Sequence, residues 1–85
     1  MKTYIIDCRK FTDKPSAHEE IATSMKLPPY YGRNLDALWD ILTEITADTL
    51  IILAHTGYAD ILTLPIIALF HEAGDESDAL TVVEV

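Results

Sequence analysis

Five side chains within eleven residues, Tyr30, Tyr31, Asp36, Trp39 and Asp40, hold the recognition chemistry of this sequence. Tyrosine and tryptophan bring large, rigid contact area with a polar handle. Carboxylates beside them can receive arginine or lysine through charge-assisted hydrogen bonds. Asp36 and Asp40 are four residues apart, so on a helix they share one face, opposite Leu38, Leu42 and Ile45. Thr43 and Glu44 continue that surface. Like charges at this spacing cost an isolated helix a few tenths of a kcal/mol. Asp36 recovers part of this from the helix N-terminus, and Asp40, a turn further on, recovers less. Aromatic rings and unneutralised acids crowded into one helix and its leading loop suit a site for a cationic partner.

Other chemistries lack their parts. A carboxylate metal site on helices usually adds an i, i+3 Glu/His pair from a second helix, and no such pair stands out. Two acids on one exposed helix face do not form the cleft that glycoside hydrolysis needs. Three glycines build no phosphate-cradling loop of the GxGxxG or P-loop kind, and no serine sits in a GxSxG turn. Cys8 ends an apolar strand pattern and reads as a small buried hydrophobe; His18, His55 and His71 stand in no recognisable relation to it. No catalytic residue, metal or cofactor is expected.

Composition narrows the class further. Fourteen acidic residues against six basic ones give a net charge of −8, which weighs against nucleic-acid binding, where a cationic surface supplies much of the affinity. It suits a soluble protein or one with a strongly positive partner. The 49% hydrophobic content supports a genuine core. No apolar run approaches the roughly 20 residues of a membrane span. A single cysteine agrees with a reducing compartment, and the N-terminus reads as a strand rather than a signal peptide. The cytoplasm, one domain over residues 1–85 and a monomer are therefore the expectations.

These side chains must be held by a small α/β frame. Lys2–Cys8 reads as a strand. Pro15-Ser16 opens a helix, with Ser16 and Glu19 as a capping box and Ala17, Ile21, Ala22 and Met25 as its apolar stripe. Pro28-Pro29 forces an extended loop that carries Tyr30 and Tyr31. Asn34 caps the second helix, in which Leu35, Leu38, Leu42 and Ile45 face the core with Trp39 flanking them. Thr49–Ala54 holds five successive apolar residues, as suits a strand covered on both faces in mid-sheet. Gly57–Leu62 is a short helix, and Pro65–Ala73 another that stops at Gly74. Leu80–Val85 closes the chain as a strand. The order β-α-α-β-α-α-β implies parallel pairing with right-handed crossovers.

The segment Pro28-Pro29-Tyr30-Tyr31-Gly32-Arg33-Asn34-Leu35-Asp36-Ala37-Leu38-Trp39-Asp40 resembles the barstar family of intracellular ribonuclease inhibitors. The family pattern Pro-x-Tyr-Tyr-Gly-x-Asn-Leu-Asp-Ala-Leu-Trp-Asp is met at every specified position. The likeness extends over most of the chain: the first strand, the helix with His18, Ile21 and Met25, the strand Leu50–Leu53 and the terminal strand fall in family order. Phe70-His71-Glu72-Ala73 looks like the family's fourth helix. The resemblance implies a three-stranded parallel sheet in order 1-2-3 packed with about four helices, and stoichiometric blocking of a basic microbial ribonuclease of the barnase type.

Carried over by matching position, the implied partner-binding residues are Tyr30, Tyr31, Gly32, Asn34, Leu35, Asp36, Trp39, Asp40 and Thr43, with Glu72 from another helix. Asp40 takes the central role, its carboxylate standing where a substrate phosphate would lie among the enzyme's Arg, Lys and His groups. Asp36 is the secondary acid. Gly32 serves the turn and Asn34 the cap. Glu44 and Ile45 stand where barstar itself has glycine and tryptophan, and Pro29 where it has an acid, which leaves open a different ribonuclease as the target. The partner that the resemblance implies is a basic ribonuclease or a toxin's nuclease domain, with the protein as its immunity factor. The other reading is a module that binds another basic protein without blocking a nuclease.

Overall fold

A computed structural model describes all 85 residues. Three parallel strands, β1 (Lys2–Asp7), β2 (Thr49–Ala54) and β3 (Leu80–Glu84), lie in the order β1-β2-β3. Three α-helices connect them: α1 (Lys14–Ser24), α2 (Leu35–Thr43) and α3 (Leu64–Glu76). The register sets Lys2 opposite Thr49 and Thr49 opposite Leu80. Alternation along the strands turns Ile6, Ile51, Leu53 and Leu80 into the helices, where they bury with Phe11, Ile21, Leu38, Leu42 and Phe70.

The expected α/β architecture and strand order stand, with corrections. There are three α-helices rather than about four. Gly57–Leu62 forms no α-helix; two single 3₁₀ turns, Thr56–Tyr58 and Ile61–Thr63, occupy the region. Extended backbone at Ala59 and Asp60 separates them, and the Asp60 N–H donates to the Phe11 carbonyl at 2.9 Å. Cys8 leaves β1 for a third 3₁₀ turn, Cys8–Lys10.

Helix ends differ for local reasons. α1 is capped by Asp13, whose side chain accepts from the Ser16 N–H at 2.8 Å, so Ser16 is not the cap. Pro15 lies in the first turn, where its missing N–H costs nothing. α3 runs through Gly74 to Glu76. A Cβ on Gly74 would meet Val82 Cγ2 at 3.2 Å, so this glycine admits β3 rather than ending the helix. Ile45 lies beyond the end of α2, half-buried against the core.

β2 is the middle strand, yet only one face of the sheet is fully covered. Thr49, Ile51 and Leu53 are buried, while Leu50, Ile52 and Ala54 are half-buried. Ile5 and Val83, both in register with Ile52, are exposed. The uninterrupted apolar run reflects the shelter of two neighbouring strands, not a second layer of helices.

Candidate functional site

The loop after α1 reverses direction at once. Lys26 takes a left-handed conformation (φ 54°), and the Leu27 N–H returns to the Ala22 carbonyl at 2.9 Å. Pro28 and Pro29 then bar further helix. Beyond them the two tyrosines part: Tyr30 is 87% exposed and Tyr31 only 4%. The Tyr31 hydroxyl lies 2.7 Å from Nδ1 of His18, itself buried on α1. That contact pins the loop to the helix behind it.

Burial pushes the Tyr31 hydroxyl up to about 12, against a smaller downward pull from Arg33. Burial holds the His18 imidazole below its ordinary value, and the nearby Arg33 charge acts in the same sense. Both groups are therefore neutral near pH 7, as a buried hydrogen-bonded pair must be to avoid the cost of an unpaired charge.

Arg33 is the second anchor. It sits at φ 51°, a left-handed conformation costly for a residue with a Cβ. Its guanidinium donates to the Tyr31 carbonyl at 3.1 Å and to Glu19 Oε2 at 3.2 and 3.1 Å. These bonds hold the turn in its strained shape. Gly32, expected to serve backbone geometry, does so by space and not by positive φ. A Cβ there would meet the Ala37 Cβ at 3.1 Å.

Asn34 caps α2 as expected. Its Oδ1 accepts from the Ala37 N–H at 2.8 Å, and its Nδ2 donates to the Gly32 carbonyl at 3.2 Å. With its start fixed, α2 buries Leu38 and Leu42 and leaves Asp36, Asp40 and Thr43 in solvent. Neither aspartate side chain has an ion-pair partner within the molecule. Thr43 Oγ1 donates to the Trp39 carbonyl at 2.7 Å. Trp39 is half-buried, packed against the core. Leu35 was expected in the core and is 40% exposed, because the first turn of α2 overhangs a cleft rather than the sheet. Glu72 is exposed on α3, the helix against which α2 packs.

The structure thus brings Tyr30, Gly32, Asn34, Leu35, Asp36, Trp39, Asp40 and Thr43 onto one continuous loop-and-helix segment, with Tyr31 buried beneath it. His18, Glu19 and Arg33 support the loop and were not among the candidate residues. His18 could have been suspected, since it lies three and four residues before Ile21 and Ala22 and so borders the apolar stripe of α1. Its partner, thirteen residues away, has no periodic signal.

No side-chain cluster of three or more His, Cys, Asp or Glu forms a metal-binding constellation. No helix is long and apolar enough to cross a membrane.

The sequence model of the family described as "Barstar (barnase inhibitor)" matches residues 1–73. A protein of Bacillus subtilis (strain 168) named "Putative ribonuclease inhibitor YrdF" is 49% identical over 43 residues, which are 51% of this chain and 47% of that protein. The match therefore spans about half the length of that relative.

Proposed function

The chain belongs to the barstar family, and on that premise we propose that it inhibits a basic ribonuclease, or the nuclease domain of a toxin, by covering its active site. The observation that carries this reading is the pair of solvent-facing, unpaired acids Asp36 and Asp40, presented by a helix whose leading loop is anchored from behind.

Asp40 stands in for a substrate phosphate, its carboxylate received by the arginine, lysine and histidine groups that would bind that phosphate. Asp36 is the second acid and Glu72 a third from α3. Tyr30 lays its ring on the enzyme, joined by the half-buried Trp39, the Thr43 hydroxyl, Leu35 and the backbone at Gly32. Tyr31 and Asn34 keep the surface in shape from within. The net charge of −8 speeds encounter with a cationic enzyme and makes association sensitive to salt. The complex is one inhibitor to one nuclease, formed in the cytoplasm, and the protein catalyses nothing itself.

The test is titration of barnase-type ribonucleases with the protein at low and high salt. Equimolar inhibition that weakens as salt rises is the expected result. Binding to a basic protein without loss of nuclease activity would replace inhibition with simple docking.

A further inference from the structure

Beside the acidic face of α2 lies a cleft of about 590 Å³, where the first turns of α1 and α2 meet the Leu62–Ile66 stretch. That size suits a protruding side chain and its neighbours. Its buried members are His18 and Ile66; its exposed ones include Leu35, Leu62, Lys14 and Arg33. Leu62 is 63% exposed, leaving apolar surface in water that a partner could cover.

The charge at the cleft opposes that of the face beside it. Arg33 and Lys14 are two of only six cations in an acidic chain, and of these two Arg33 is already paired with Glu19. Lys14 has no ion pair and occupies the first turn of α1, where the helix dipole disfavours a cation. Asp36 belongs both to the cleft and to the acidic face, so whatever sits on that face reaches the cleft's edge.

Resting on the inhibitor reading, we infer that this cleft is the selective half of the same interface: it seats a projecting apolar or aromatic side chain of the nuclease, with a nuclease carboxylate set against Lys14. The acids of α2 attract any basic nuclease. Lys14 repels one that presents a cation at this point and favours one that presents an acid, which is discrimination by a built-in repulsive element.

The test compares inhibition constants of the full chain and its Lys14→Glu, Leu62→Asp and Asp40→Ala variants against a panel of barnase-type ribonucleases. Lys14→Glu and Leu62→Asp both make the chain more acidic, so long-range attraction alone gives equal or tighter binding to a basic enzyme. Occupation of the cleft gives the opposite sign: each variant binds at least tenfold more weakly. Folding is checked by unfolding midpoints; a glutamate in the first turn of α1 suits the helix dipole, and Leu62 is largely in solvent. Equal or tighter inhibition by both variants, with Asp40→Ala still strongly weakened, overturns the cleft and leaves the inhibitor reading intact. Absence of inhibition by the unmodified chain across the panel overturns both.

Discussion

α1 and α2 are consecutive helices that treat charge in opposite ways. Around α1 the acids are engaged. Glu20 receives the Asp7 N–H at 3.0 Å, the Ser24 hydroxyl at 2.9 Å and the Lys10 ammonium at 3.6 Å, and Glu19 holds Arg33. On α2, Asp36 and Asp40 engage nothing within the chain. Charges tied to their own molecule fix geometry, here the junction of β1 with α1 and the turn before α2. Charges left facing water keep their full capacity for a partner. Through its acids the first helix acts as a bracket, and through its own the second acts as a presented surface.

The largest effect that could break this contrast is expected at Asp40. Asp40→Ala should weaken ribonuclease inhibition by about a hundredfold or more, the scale of removing one member of a desolvated ion pair. Its stability should stay within about 0.5 kcal/mol of the parent, as for other surface changes. Inhibition titration beside urea unfolding reads both. A lowered unfolding midpoint with inhibition unchanged would make the α2 acids structural after all.

Tyr31→Phe probes the bracket. It strips the buried His18 ring of its partner and should cost about 1–3 kcal/mol in urea unfolding. The exposed Tyr30→Phe should cost almost nothing in the same measurement.

His18 also sharpens the contrast through pH. Unfolded, its imidazole takes a proton near pH 6.5; folded, burial lowers that value. Between the two values the unfolded chain holds more protons, so stability falls as pH drops from about 6.5 and levels once the folded value is passed. Unfolding midpoints at pH 7.5 and 5.5 should differ more for the parent than for His18→Gln.

A small effect is expected for Glu19→Gln. It weakens an exposed ion pair with Arg33 and should change stability by no more than about 1 kcal/mol. A larger loss would mean that the strained turn at Arg33 depends on this pair rather than on the Tyr31 carbonyl.

Much of the frame was readable from residue order because it is set by local chemistry. β2 and its central place follow from an unbroken apolar run, and α2 from the Asn34 cap with Leu38 and Leu42 at helical spacing. Where local signals competed, reading failed. Ser16 has the form of a cap, but Asp13 lies at the position that also admits Pro15. Gly74 resembles a helix stop, but close packing on Val82 calls for a glycine inside the helix. Residues 57–62 read as a short helix, but the bond from the Asp60 N–H to the Phe11 carbonyl holds the segment extended between two short turns.

The candidate binding surface divides the same way. Residue types and spacing alone placed Asp36 and Asp40 on one helix face and Tyr30 and Tyr31 in the loop before it, since helical pitch and proline sterics act over a few residues. Only the tertiary structure decided that Tyr31 turns inward to His18, that Leu35 leaves the core for a cleft, and that Lys14 and Leu62 stand beside Asp36. Those outcomes depend on contacts between chain segments far apart in sequence, which no local period encodes.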